Sequence, residues 1–308
     1  MITTEHQQLL AEKSFLSREL SETPALALLT RRSLEARLRN VEAAIAAMDV
    51  AGPPPARARL TFSGLPVVGS HGIFADFGMK AMNSFTEAVA AMAASLTAPL
   101  ASMGPIPNRD QNQLLITNTA LGSFGFELEE YRPQQPTVAA DSPVAIALER
   151  TRSLLQSTQG NDEELADVAS DTDQRALEKI RAFLKVLAEN DAVCALQYGD
   201  EVVRFQDVGQ VRQSLARLGA DNLHEKQEML TGFFEGSLPN ARTFEFKLAS
   251  DGQVIRGKIA PPVQNVDEIN KHLKTRVSIP VTITQVGNGR PRYVLTQLPQ
   301  WLDAQTIE

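Results

Sequence analysis

The sequence predicts an α+β protein that ends in a small β-barrel. Three patterns support this fold class. They are a heptad seam near the N-terminus, a helix followed by two strands in residues 75–131, and five short strands interrupted by one helix in residues 230–298. The predicted units are a helical hairpin or coiled coil, a helix-on-antiparallel-sheet domain, an acidic helical connector with a β-hairpin, and the barrel, over residues 1–50, 57–131, 141–222 and 223–300.

Composition indicates a globular protein. The chain has 308 residues, of which 43% are hydrophobic and 22% are charged. No apolar run approaches the ~20 residues of a membrane span, and the N-terminus lacks a signal-like apolar core. With Cys194 as the one cysteine, a disulfide framework and a cysteine-rich metal site are excluded. We therefore expect a cytoplasmic, bacterial protein.

The net charge of −7 is unevenly distributed along the chain. Residues 127–191 contain 14 acidic and 7 basic side chains, whereas residues 255–300 contain 7 basic and 2 acidic ones. The connector is therefore acidic and the end of the barrel is basic. Such blocks bear on binding partners rather than on the fold.

The N-terminal hairpin, predicted over residues 4–49, contains a seam of five apolar residues at heptad spacing. Two heptads are too short to be stable as an isolated helix pair, so another surface must cover the seam. The seam either packs within its own chain or forms an oligomer or partner interface. The candidate interface residues are Leu34, Leu38, Val41, Ile45 and Met48.

Linkers rich in proline separate the next units. Residues 52–56 and 133–141 indicate extended spacers. The intervening unit is predicted as strand 59–63, helix 75–97 and strands 114–119 and 123–131, with a turn at 120–122. The connector is predicted as helices 143–156 and 163–189, strands 192–196 and 201–205, and helix 208–218.

The C-terminal unit has the element order of an oligonucleotide/oligosaccharide-binding (OB) barrel. Three strands, a helix and two further strands follow one another, as in that five-stranded Greek-key barrel. The predicted strands are 230–238, 243–249, 254–260, 277–286 and 292–298, with the helix at 266–274 and a tail after Trp301.

A search for catalytic chemistry finds little. The four histidines show no metal-ligand spacing, and no phosphate-binding glycine loop or nucleophile elbow is present. Cys194 lies in an apolar strand and is expected to be a buried, inert thiol. The carboxylates Glu127 and Glu129 are expected on a solvated strand face. We therefore predict no catalytic residue, no cofactor and no metal site.

Gly69–Ser70–His71–Gly72 lies between a predicted strand and a predicted helix. Its backbone amides could receive an anion, and Ser70 with His71 could act as nucleophile and base of a hydrolase. The alternative is a tight turn that requires its glycines. The sequence favours the turn.

The basic end of the barrel is the best candidate for a binding site. Barrels of this type stack bases on aromatic rings within a basic groove. The hairpin tip at 288–293 places two arginines beside a tyrosine, which suits a phosphate or an acidic protein. The candidate ligand-binding residues are Arg256, Lys258, Arg276, Arg290, Arg292 and Tyr293.

Two functional classes follow from these features. The first is a non-catalytic interaction or sensing subunit of a bacterial multi-protein assembly, acting as an oligomer or with a protein partner. Anti-phage defence is one setting for such a subunit, although no residue carries that hypothesis. The second is a protein that binds single-stranded nucleic acid or a nucleotide on the basic barrel, and a hydrolase centred on Ser70 and His71 is a minor third.

Overall fold

The protein is described here by a computed structural model that covers residues 4–23, 27–51, 54–120, 124–132, 141–299 and 301. Side chains are described throughout except at 4–7, 28 and 46–51. Residues 52–53 and 133–140 of the two predicted linkers, 121–122 of the predicted turn and the tail after Trp301 lie outside the described residues. Within the described residues the fold is mixed α+β with a closed five-stranded barrel, as the sequence predicts at this level.

The elements follow one another in a mixed order. The helices are α1 (Thr4–Glu22), α2 (Leu28–Ala51), α3 (Ala75–Ser95), α4 (Pro143–Ser157), α5 (Asp162–Ser170), α6 (Gln174–Glu189), α7 (Val208–Arg217) and α8 (Glu268–Lys271). The strands are β1 (Arg57–Gly64), β2 (Val67–Val68), β3 (Gly72–Ile73), β4 (Leu114–Ala120), β5 (Gly125–Glu130), β6 (Ala192–Tyr198), β7 (Glu201–Arg204), β8 (Leu223–Leu238), β9 (Thr243–Leu248), β10 (Val254–Ile259), β11 (Arg276–Val286) and β12 (Arg292–Leu295).

Helices α1 and α2 pack against each other within one chain. The heptad seam of α2 meets Leu9 and Leu16 of α1, and Leu16 and Val41 are buried. Ion pairs flank the seam, including Arg37 to Glu12 at 2.6 Å. The contacting seam residues are Leu34, Leu38, Val41 and Ile45, and the side chain of Met48 lies outside the described residues.

One antiparallel sheet in the order β4-β5-β1-β6-β7 joins two segments that the sequence suggested as separate units. Strand β1 pairs with β5, and on its other side with β6, so that Leu60 lies opposite both Phe126 and Leu196. Residues 57–131 and 141–222 therefore contribute strands to one sheet. Alternating apolar residues of β1 face the helices, while Arg57 and Arg59 face away.

Helices α3, α4, α6 and α7 form one layer whose apolar faces share a core with that sheet. The alanine-rich face of α3 allows close approach to α6, where the rings of Phe85 and Phe183 meet edge to face at 5.4 Å. The buried Glu130 at the end of β5 fixes the start of this layer. Its carboxylate accepts hydrogen bonds from Ser142 Oγ at 2.9 Å and from Ala56 N–H at 3.1 Å.

The predicted helix at 163–189 is two helices, and each begins at its own cap. Asn161 Oδ1 accepts from the Glu164 N–H at the start of α5, and Asp173 Oδ1 accepts from the Arg175 N–H at the start of α6. The break coincides with the interruption at Thr172 and Asp173 visible in the sequence. It turns α5 away from α6 and onto the barrel.

The barrel closes in the order β10-β12-β11-β8-β9, with β10 and β12 parallel. Phe234, Phe244 and Phe246 form its aromatic core, with ring centroids 5.0–5.9 Å apart. Three predicted elements have the wrong bounds. Strand β8 begins at Leu223 because its charged first half, exposed to solvent, also pairs with β11. The predicted helix at 266–274 shortens to α8, and the predicted strand 292–298 ends at Leu295.

The barrel is attached to the rest of the molecule through α5 and α7. Val286, at the end of β11, belongs to the core of the helical layer. The Gly287 N–H donates to the Asn222 carbonyl at 2.8 Å, and the Asn222 side chain donates to the Arg217 carbonyl at 2.8 Å. Gly287 has φ of +52°, and a Cβ there would lie 3.2 Å from Asp162 Oδ2. The β11–β12 turn therefore lies directly on the start of α5.

Candidate ligand-binding groove of the C-terminal barrel

A groove of about 640 Å³ lies on the barrel where the end of β8, strands β9, β10 and β12, and the last residue of α5 meet. Its volume falls in the range of small-molecule and short-polymer sites. The lining residues are Ser170, Gly236, Ser237, Leu238, Thr243, Phe244, Glu245, Arg256, Gly257, Lys258, Arg292 and Tyr293.

Glycines shape two parts of the groove. At Gly257 on β10 a Cβ would lie 2.6 Å from the ring of Phe244 and 2.6 Å from the carbonyl oxygen of Tyr293, so only glycine allows β12 to approach there. At Gly236 a Cβ would meet no atom within 4 Å. Gly257 is thus required by packing, whereas Gly236 leaves free space above the β8 backbone.

Three cations line the groove, and each forms an ion pair with a carboxylate of the same chain. Arg256 pairs with its cross-strand neighbour Glu245 at 2.8 Å. Lys258 Nζ lies 2.5 Å from Asp171 Oδ2, and Arg292 Nε lies 2.5 Å from Asp167 Oδ1. The last two pairs join the barrel to α5 and to the residue that ends it. The three charges of the groove are therefore balanced.

Tyr293 also borders the groove, but its partly buried ring lies on the other face of β12 from Arg292, on the side of Gly257 and Ile283, and packs against the barrel core. Burial raises the pKa of its hydroxyl above the ordinary value. The hydroxyl therefore stays uncharged at neutral pH.

The comparisons with known proteins add no assignment. No family model, curated protein or solved structure matches this chain. None of the described helices is long and apolar enough to cross a membrane.

The structure brings together four of the six predicted basic and aromatic candidates. Arg256, Lys258, Arg292 and Tyr293 line one groove. The other two, Arg276 and Arg290, are exposed at the start of β11 and in the β11–β12 turn, outside its lining. The groove therefore draws its cations from β10 and the start of β12, and of the two arginines of the hairpin tip it includes Arg292 and not Arg290.

Ser70 and His71 lie at the exposed turn of the short β2–β3 hairpin. The His71 N–H donates to the Val68 carbonyl at 2.9 Å, which closes the turn, and Gly69 adopts φ of +53°. The turn interpretation accounts for these contacts. Catalysis would require a cleft and a hydrogen bond between the two side chains, and the described residues show neither.

The remaining chemistry-bearing residues are accounted for by structure. Cys194 is buried, and burial raises the pKa of its thiol to about 12, so it is a poor nucleophile. Glu127 and Glu129 pair with Arg59 and Arg57 on the open face of the sheet. Among the described residues no group of three or more histidine, cysteine, aspartate or glutamate side chains is placed to hold a metal ion.

Sequence reasoning missed the acidic side of the groove. Asp167 and Asp171 were counted in the charge of the connector, but nothing in their spacing shows that they reach β10 and β12. Leu238, which is exposed at the groove edge, was seen only as the end of a strand. The one available signal was the pair of glycines inside strands, Gly236 and Gly257, since such residues mark close approach or free space.

Proposed function

We propose that the protein is a cytoplasmic, non-catalytic binding subunit that holds its ligand in the groove of an OB-like barrel. The strand order and the parallel pairing of the third and fifth strands of the barrel support the OB-like assignment. In such barrels the face of the second and third strands is the usual binding surface.

One observation carries this proposal. The groove lies on β9 and β10, which are the second and third strands of the barrel. Its walls combine paired charges with an apolar floor at Phe244 and an exposed Leu238, a surface suited to holding an extended polymer.

The lining favours binding over catalysis. It contains neither histidine nor cysteine, and its one carboxylate, Glu245, is held by Arg256. A general base needs to be free to take a proton from its substrate. The groove therefore supports recognition, in agreement with the absence of a recognisable catalytic motif in the sequence.

The helical hairpin is the proposed contact with other subunits. Because α1 and α2 use the heptad seam on each other, an external partner would meet their outer surface. That surface exposes Leu10, Phe15 and Leu29, three large apolar side chains. We assign this surface to a second copy of the chain or to another protein of the assembly, anti-phage defence being one setting.

A second candidate function is the binding of single-stranded nucleic acid. It is favoured by the position of Arg256, Lys258 and Arg292 on one outward face of the neighbouring strands β10 and β12. Cations that follow a phosphate backbone are one part of such sites.

Site-specific photocrosslinking tests the proposed groove. Benzoylphenylalanine is placed at Leu238, 65% exposed at the groove edge, and in a control at Val202, 49% exposed on β7. Irradiation in the native host should yield a discrete adduct at position 238 and none at 202. Mass spectrometry then shows whether the adduct is polypeptide or nucleic acid. No adduct at position 238, or the same adducts at both positions, would contradict a binding groove.

A further inference from the structure

We propose that β4 pairs antiparallel with β4 of a second copy of the chain, so that the two five-stranded sheets become one continuous sheet. This inference goes beyond the proposed function, because it uses neither the groove of the barrel nor the helical hairpin. It names the strand through which two copies of the protein form a dimer.

The outer edge of β4 presents unpaired backbone groups. Strand β4 is the first in the order β4-β5-β1-β6-β7, and β5 is its one hydrogen-bonded neighbour among the described residues. The Tyr131 N–H donates to the Gln113 carbonyl at 2.9 Å, so the backbone of Gln113 faces β5. Because alternate residues of an antiparallel strand face opposite edges, the backbone of Leu115 also faces β5, whereas the N–H and C=O groups of Leu114 and Ile116 point to the outer edge.

The two edges of this sheet differ in charge. Proteins protect edge strands from pairing by keeping them short and by placing charged side chains on them. Strand β7, at the opposite edge, has four residues and carries Glu201 and Arg204. Strand β4 has seven residues and none of them is charged, and the sequence contains no charged residue anywhere in 111–126. The β4 edge therefore lacks the protection that the β7 edge has.

The first half of β4 is complementary to itself. Leu115 lies opposite Glu129 and so on the open face of the sheet, whereas Ile116 lies opposite the buried Leu128 and so on the face that carries the helices. A two-fold axis through Leu115 places this leucine opposite its own copy, and places Leu114 of each chain opposite Ile116 of the other. The backbone groups of Leu114 and Ile116 both point outward, so each such pair exchanges two hydrogen bonds.

This pairing covers apolar side chains that the single chain leaves in solvent. Leu115 is 43% exposed, and Ile116 is 56% exposed although it lies on the helical face. In the paired sheet leucine meets leucine on one face, and leucine meets isoleucine on the other. A closed interface between identical chains requires that one patch be complementary to itself. The uncharged segment 113–116 meets this requirement before the register shift between Ile116 and Asn118 interrupts the ladder, which is why we assign a second copy as the occupant.

Analytical ultracentrifugation of the full chain over a dilution series from about 1 mM to about 1 μM tests the pairing. The variant is Leu115→Lys, which brings two lysines face to face across the two-fold axis. The matched control is Val202→Lys on β7. Val202 is 49% exposed, lies on an edge strand and shares the open face with Leu115, because it pairs with Gln197, which lies opposite Arg59.

We expect wild type and the control to sediment as dimers and Leu115→Lys to dissociate with a Kd at least about tenfold higher, because like charges directly opposite each other destabilise a strand pair. Thermal unfolding of each variant shows that the fold is intact. A wild type that stays monomeric throughout the series would overturn the second copy as the occupant. A dimer whose Kd is unchanged in Leu115→Lys would also overturn the inference, while leaving the proposed contact at the helical hairpin in place.

Disulfide crosslinking tests the register directly. Residues opposite each other in a non-hydrogen-bonded antiparallel pair have Cα atoms about 4.5 Å apart, which is within the range of a disulfide. The native Cys194 is buried, so the thiol of Leu115→Cys is the accessible one. Mild oxidation should convert Leu115→Cys to a covalent dimer and leave Val202→Cys monomeric on a non-reducing gel. Equal crosslinking at the two positions, or none at position 115, would refute the pairing through β4.

Discussion

Replacing Arg217 by alanine should weaken the junction between the helical layer and α5. The Arg217 guanidinium donates to the carbonyl oxygens of Thr158 at 2.7 Å and Gly160 at 2.6 Å, at the C-terminal end of α4. It also pairs with Asp162 at 2.7 Å, the first residue of α5. The Arg217 side chain therefore binds both the C-terminal end of α4 and the first residue of α5. The helix dipole of α4 favours a cation at that C-terminal end.

The expected loss of unfolding free energy follows from these contacts. Each hydrogen bond to a charged group contributes about 1.5–3 kcal/mol, and the full loss applies only where water cannot replace the donor. Thr158 is buried, whereas Gly160 and Asp162 are exposed to solvent or nearly so. We therefore expect Arg217→Ala to lower the free energy of unfolding by about 3 kcal/mol, which corresponds to a melting temperature lower by about 5 °C.

Urea unfolding followed by circular dichroism measures this loss. Arg217→Lys retains the charge but not the planar fork of donors, and should lose about half as much. Arg204→Ala, at an exposed position of β7, is the matched control and should stay within about 0.5 kcal/mol of wild type. Hydrogen exchange of α5 amides should accelerate in Arg217→Ala only. An Arg217→Ala protein as stable as the control would refute this account of the junction.

Three further positions give separate checks. In urea titrations, Gly257→Ala should destabilise the barrel by about 1–3 kcal/mol through overpacking, whereas Gly236→Ala should leave the unfolding free energy unchanged. Equal stability of the two variants would contradict the packing at Gly257. Cys194 should resist alkylation at about pH 8 until urea unfolds the protein, because burial raises its pKa to about 12; rapid labelling of the folded protein would contradict that burial. The hydrogen bond from Lys179 holds the pKa of Glu87 below its ordinary value of 4.5. The stabilisation from Glu87 is therefore full above about pH 4.5 and is lost as the pH falls through the lowered pKa. The difference in unfolding free energy between wild type and Glu87→Gln should accordingly shrink in acid. A difference that stays constant down to about pH 3 would rule out this pairing.

Local patterns allowed the strands of the barrel to be predicted, because Phe244 and Phe246 alternate with polar residues on one strand. The same criterion failed for residues 223–229, since a ribbon with both faces in water carries charge on both faces and shows no alternation. A strand could therefore be predicted where one of its two faces is buried, and could not be predicted where both faces are exposed.

Long-range contacts account for the rest of the difference. Nothing in the local sequence shows that β1 pairs with β6, because that register is decided by packing between segments about 140 residues apart, as in Ala58 opposite Tyr198. The groove was predictable to the extent that its cations lie on barrel strands. Its acidic wall was not, because which 2 of the 14 acidic residues in 127–191 pair with the groove cations depends on where the chain breaks between α5 and α6.

The central position of β1 has a consequence for synthesis of the chain. Its second partner, β6, leaves the ribosome about 140 residues later, which is about 7–28 s at about 5–20 residues per second. During that interval the apolar side chains of Leu60 and Phe62 have only β5 as a neighbouring strand, so we expect the nascent chain to depend on chaperones there. The barrel strands are made after α5, and in the described residues they pair only within 223–295. We therefore expect the barrel to fold onto an α5 that is already in place, so that the acidic wall precedes the groove that it closes.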